Sequence, residues 1–146
     1  MKRVLACLLT VMLFLTCVPA ALAADNSRDF FFQLSVDGSD KKEVQPGDII
    51  QVDFNLNRTD SADAYTMYGM QNEIRYDSNF FQLVEGSALL SNGISTTDIG
   101  LRDNYREFYM NFVSLSGGET WEAKRLVGSF KLKVIATSGV SKITNQ

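Results

Sequence analysis

The chain has 146 residues, 14 Lys+Arg against 17 Asp+Glu, a formal net charge of −3 and no histidine. That balance argues against nucleic-acid or anionic-membrane partners, because no basic patch is available to attract phosphates. The lack of histidine removes the commonest general base, the commonest metal ligand and every Ser-His or Cys-His nucleophile pair.

In chain order, the first element is a leader. Lys2 and Arg3 form a charged start, "VLACLLTVMLFLTCV" is an apolar run too short and too poorly flanked to span a membrane, and Ala21-Leu22-Ala23 is a small-x-small cleavage site. Residues 1–23 are read as a secretory signal peptide and residues 24–146 as one domain. Leu15 and Thr16 are poor residues before a lipid-bearing cysteine, which argues against acylation of Cys17. Both cysteines, Cys7 and Cys17, fall in the leader, so the mature domain has no disulfide and depends on its core. Loss of Lys2 and Arg3 takes 14 basic residues to 12 against 17 acidic, a net charge of −5. No second long apolar run follows, so no transmembrane helix is expected.

Strand signals dominate the rest. "DFFFQLSVD" alternates Phe30, Phe32, Leu34 and Val36 against Phe31, Gln33 and Ser35. "DGSDKKEVQPGD" supplies turn residues, with Pro46 fixing φ, Gly47 free to take positive φ and Asp48 bonding locally. "IIQVDFNLN" then alternates Ile50, Val52, Phe54 and Leu56 against Gln51, Asp53, Asn55 and Asn57, the period of a half-buried strand. "TDSADA" reads as a polar loop. "YTMYGMQNEIRYD" reads as one long strand with Tyr68, Met70, Asn72, Ile74 and Tyr76 inward, and Asn72 then needs a partner. "YDSNF" is a turn with Asp77 and Asn79 bonding to backbone, and "FFQLVEG" is a short strand ended by Gly86.

Residues 85–105 read as short irregular strands and loops. "REFYMNFVSL" puts Phe108, Met110 and Phe112 on one face. "SGGETWEAKR" reads as a loop with a helical turn near Trp121. "LVGSFKLKVIA" puts Leu126, Phe130, Leu132 and Val134 inward and Ser129, Lys131 and Lys133 outward. "TSGVSKITNQ" turns at Gly139 into a further strand. About seven or eight strands with closely spaced turns and no convincing helix imply an antiparallel sandwich.

Three of these segments resemble the cohesin module, the dockerin receptor of bacterial cellulosomes. "VQPGDIIQVDFNL" resembles the family's opening strand, "YGMQNEIRYDSNFFQLV" its third strand and following turn, and "LVGSFKLKVIATSGVSKI" its late strand, Gly turn and final G-x-x-x-I. The resemblance implies an all-β antiparallel jelly-roll β-sandwich. It also implies a last strand beyond Gln146, so the domain over 24–146 is read as C-terminally incomplete. The implied role is non-catalytic: a secreted or cell-surface module recruits a dockerin-bearing protein in a polysaccharide-degrading system. Calcium belongs to the dockerin, and the module itself takes no metal or cofactor. The family's partner-binding face, carried over residue by residue, comprises Gly69, Gln71, Glu73 and Arg75 on one strand. Tyr109, Asn111, Val113 and Leu115 supply the other, with Ser114 between the last two. Gly69 and Gln71 depart from the Asn and Asp common in type I members, which leaves the dockerin type open.

Competing readings are a carbohydrate-binding module of related fold, using an aromatic platform from Trp121, Tyr65, Tyr68 or Phe31, and a cell-surface adhesin module. For the aromatics, core packing is the stronger reading. Asp53 and Asp77 are the pair a glycosidase reading would use, but a strand position and a turn role explain them better. "DGSDKKE" lacks the acid spacing of a calcium loop. Asn57-Arg58-Thr59 matches a glycosylation sequon.

Overall fold

A computed structural model describes residues 29–59 and 64–146. The leader and most of the "TDSADA" loop lie outside the described residues. The described residues form eleven antiparallel strands: β1 (Phe30–Val36), β2 (Ile49–Arg58), β3 (Ala64–Met67), β4 (Gly69–Asp77), β5 (Phe81–Leu83), β6 (Leu89–Leu90), β7 (Ser95–Arg102), β8 (Tyr105–Val113), β9 (Glu119–Glu122), β10 (Lys124–Val134) and β11 (Ile143–Asn145). One sheet runs β1-β2-β10-β5, with β6 also on β10. The second runs β11-β4-β8-β7, and β3 and β9 form a separate ribbon. No helix among the described residues is long and apolar enough to cross a membrane.

The alternation read in β2 is the core's inner wall. Ile50, Val52, Phe54 and Leu56 are buried, opposite Phe130, Leu132 and Val134 of β10 and Ile74, Tyr76, Met110 and Phe112 of the second sheet. Phe108 meets Phe130 edge-on at 5.1 Å, and Phe32 stacks on Phe54 at 5.2 Å. Each such side chain contributes about 1.5–3 kcal/mol by leaving water.

The turn before β2 works as its residues require. Gly47 takes φ +94°. Asp48 accepts the Gln45 amide through Oδ2 at 2.8 Å, and its own amide donates to Gln45 O at 3.1 Å. Gly47 N donates to Val134 O, and Val134 N to Asp48 O, both at 2.8 Å, which sews the turn to the end of β10. After β4, Asp77 Oδ1 accepts the Asn79 amide at 2.8 Å.

Four expectations are corrected. The long strand breaks at Tyr68, which is 61% exposed rather than inward, because β3 pairs with β9 while β4 pairs with β8 and β11. Of residues 116–125 only 116–118 and Ala123 lie outside strands, with no helical turn: Trp121 is extended in β9 opposite Tyr65, and Lys124 already belongs to β10. In β10 a register shift between Leu126 and Gly128 reverses the alternation, so Val127 is buried and Leu126 is 46% exposed; a bulge adds one residue and so changes parity. Ser129 faces outward as expected, on the side of its partner Asp53, but is buried there between the Asp53 and Leu89 strands. Finally, the stretch 85–105 contains a regular eight-residue strand, β7, with a bulge between Asp98 and Gly100.

Two polar side chains are buried against expectation or need. Asn72 finds its partner in Gln146 O, 2.9 Å from its Nδ2. Asn57 of the sequon is buried, and its Nδ2 donates to Gln33 Oε1 at 3.1 Å. A glycan on that nitrogen would displace this side-chain bond.

At the β7 bulge Asp98 Oδ1 accepts the Gly100 amide at 2.9 Å, and Oδ2 accepts from Arg106 of β8. The Arg106 bond, with the backbone bond and the guanidinium charge, holds Asp98 below the ordinary 3.8. A depressed carboxyl contributes stability above its unfolded pKa and loses it as pH falls through the folded value. The contribution is small because both side chains are exposed. Carboxyl NMR titration is expected to place Asp98 below 3.8 and to return it toward 3.8 in Arg106→Gln.

Candidate partner-binding face

The β4–β8 register places the carried-over residues side by side. Gly69 pairs with Val113, Gln71 with Asn111, Glu73 with Tyr109 and Arg75 with Glu107. Because Met70, Asn72, Ile74, Met110 and Phe112 are buried, the alternate set lies on the outer face of the second sheet. Leu115 stands just beyond the end of β8 and is 94% exposed. Ser114, between them, donates its amide to Tyr68 O at 2.8 Å, and its Oγ accepts the Gly118 amide at 3.1 Å. The structure thus brings together the seven strand residues and leaves Leu115 at their margin.

The face has three zones. At one end Arg75, Glu107 and Arg102 carry the charge, beside the Tyr105 ring. Glu107 is buried although it points outward, covered by two guanidiniums: Arg75 Nε lies 3.3 Å from Oε1 and Arg102 Nε 3.6 Å from Oε2. Arg75 also lies over the Tyr105 ring at 4.1 Å, a cation–π contact that fixes its plane. In the middle, Tyr109 donates its hydroxyl to Glu73. That hydrogen bond and the Glu73 charge push the phenol above its ordinary range. Asn111 Nδ2 donates to Thr97 Oγ1 at 3.2 Å. The far end, Gly69, Val113, Leu115 and nearby Tyr68, carries no charge.

Sequence reasoning missed Glu107, Arg102, Tyr105 and Thr97. Glu107 and Tyr105 share the parity of Tyr109, so counting by two along "REFYMNFVSL" and one step back would have found them. Arg102 and Thr97 come from β7, where the bulge breaks the count.

Other candidate groups fall elsewhere. Asp53 lies on the outer face of the first sheet, accepting from Gln51 Nε2 at 2.8 Å, and Asp77 ends β4 on the outer face of the second. A sandwich core about 10 Å thick separates such faces, so the two carboxylates do not share a cleft. Trp121 is 0% exposed, against Phe112 at 4.7 Å and under Arg125 at 4.0 Å, and offers no platform for a sugar ring. Tyr65 is half-buried, and burial pushes its phenol up. Phe31 is exposed on the outer face of the other sheet. A groove of about 770 Å³ opens between edge strands β1 and β11, lined by Leu34, Val36, Ile50, Phe81 and Ile143 with Lys142 at its rim.

Comparison with solved structures gives the fold a family. The chain is similar to the seventh ScaB type I cohesin of Pseudobacteroides cellulosolvens, with 13% identity, 80% of this chain and 74% of that one covered, and a TM-score of 0.54. It is similar to a type II cohesin from the cellulosome of Acetivibrio cellulolyticus, with 16% identity, 80% and 74% coverage, and a TM-score of 0.54. It is also similar to the sixth cohesin of that organism's scaffoldin B, solved in complex with a Cel5 dockerin mutant, with 12% identity, 79% and 81% coverage, and a TM-score of 0.50. No family model and no curated protein matches the sequence. The fold is that of the cohesin β-sandwich.

Proposed function

We propose that the chain is a secreted, non-catalytic cohesin-like module that holds a dockerin-bearing protein in a polysaccharide-degrading system. The observation that carries this reading is the β4–β8 register, which lays Gly69, Gln71, Glu73, Arg75, Tyr109, Asn111 and Val113 on one outer face. A cohesin of the same fold has been solved with a dockerin bound. Recognition would be by a rigid sheet surface: cross-strand pairs fix the side chains before the partner arrives, which lowers the ordering cost of binding. Calcium would be the partner's. Secretion rests on the leader read in residues 1–23.

The test is a binding titration of the folded domain against dockerin modules, with calcium and with a chelator. Binding is expected with calcium only, because the partner needs the metal to fold. Gln71→Ala combined with Asn111→Ala is expected to weaken it by at least about tenfold, the scale of two central interface side chains. Unchanged affinity in that double variant would place the binding surface elsewhere. Firm binding to cellulose or xylan with no dockerin captured would favour the carbohydrate-module reading.

A further inference from the structure

The two ends of the β4–β8 face differ in charge and in shape. Glu107 is buried between Arg75 and Arg102, so its charge is already committed, while the Arg102 side chain is 70% exposed. Two guanidiniums against one carboxylate leave one net positive charge on a chain that is otherwise acidic. Beside Arg75 lies a depression of about 430 Å³, lined also by Lys142, Ser141, Thr144, Tyr105 and Asp77. Asp77 accepts the Asn79 amide and keeps its charge, so around that depression the Arg75 and Lys142 cations outnumber one carboxylate, beside the Ser141, Thr144 and Tyr105 hydroxyls.

The opposite end is uncharged and notched. Gly69 sits inside a strand, where glycine weakens the sheet. The fold does not require it there: its φ is not positive, and an added Cβ would meet only Phe112 O at 3.6 Å, ordinary contact. A missing side chain beside exposed Val113 and Leu115 leaves room for a bulky group from outside.

We propose that the partner docks in one direction only, with a carboxylate-bearing end over Arg75, Arg102 and Lys142 and an aliphatic side chain seated at Gly69 and Val113. This rests on the dockerin-binding reading. Attraction at the charged end steers and orients the partner, and apolar burial at the notch holds it.

The experiment uses a panel of calcium-loaded dockerin modules whose docking surfaces differ in Asp/Glu and Lys/Arg content. Acid-bearing modules should bind the parent domain most tightly, and the affinity should fall with added salt. Arg102→Glu should weaken binding about tenfold, and reversing one dockerin acid to Lys should restore it. Gly69→Leu should weaken binding about tenfold at an unchanged melting temperature. Should Arg102→Glu fold poorly beside Glu107, Arg102→Gln carries the same test at about threefold. A dockerin that binds the parent yet binds Arg102→Glu and Gly69→Leu equally well overturns this inference and leaves the dockerin reading standing. If no dockerin binds the parent, the dockerin reading fails and takes this inference with it.

Discussion

Trp121→Ala is expected to cost about 3–5 kcal/mol of stability, the range for deleting a fully buried large aromatic side chain. Trp121 has no exposed surface and lies between Phe112 of the second sheet at 4.7 Å and Arg125 of the first at 4.0 Å. Tyr65 closes a third side at 6.4 Å. The residue therefore joins the β3–β9 ribbon to both sheets, and its loss leaves a cavity that backbone paired on several sides cannot collapse to fill. A domain of this size holds roughly 5–15 kcal/mol in all, so about a fifth or more would go. Among the described residues nothing accepts a hydrogen bond from the indole Nε1, so the contribution is packing, and Trp121→Phe should retain most of it. Urea unfolding followed by circular dichroism checks this; fluorescence would not, since the chain has a single Trp. Unchanged stability with lost polysaccharide affinity would instead mark Trp121 as a sugar platform.

Gly118→Ala is expected to cost about 2–4 kcal/mol, combining backbone strain with a clash. Gly118 has φ +88°, where an L side chain is strained, and an added Cβ would collide with the Thr66 methyl and lie 3.1 Å from both Met67 O and Tyr68 Cε1. Met67 is held by its pairing with Glu119, so the backbone oxygen cannot retreat without opening the ribbon. The neighbouring Gly117 provides the control. It has φ +99° with nothing within 4 Å of its would-be Cβ, so Gly117→Ala carries strain alone, about 1–2 kcal/mol. Equal losses in thermal melts of the two variants would show that the Thr66–Met67 contact does not matter.

Period two made β1, β2 and the inner half of β10 legible, because in each the apolar residues of one face pack on the core. The same period ran unbroken through Tyr68, since alternation cannot report that a chain has changed sheets. β7 was hidden for the opposite reason: "STTDIGLR" lies at a sheet edge with most of its residues exposed, so no apolar rhythm marks it. β9 contributes one buried residue, Trp121, among flanking glycines and acids, a composition that reads as loop. The β10 bulge could be suspected from Gly128, but its effect on parity, exchanging Leu126 for Val127 in the core, depends on partner strands. In the candidate face, the β4 and β8 residues followed from alternation once the family's face was known. The Arg75–Glu107–Arg102 arrangement did not, because it joins side chains of three strands and one of them is bulged.

The central pairing of the first sheet joins distant parts of the chain. β2 meets β10 across a register that begins at Asn57 and Lys124, so the sheet's middle cannot close until β10 has been made. Topologies of this kind fold slowly, because the loop entropy is spent before the long-range contacts return it. On a ribosome, β1 and β2 would emerge as a hairpin lacking its other neighbour, and such a hairpin is marginal alone. The polypeptide therefore stays open through most of its synthesis. Until β10 arrives, the apolar inner edge of β2 lacks its neighbour on that side, and the second sheet, β4 and β8 included, has only part of a wall to pack against.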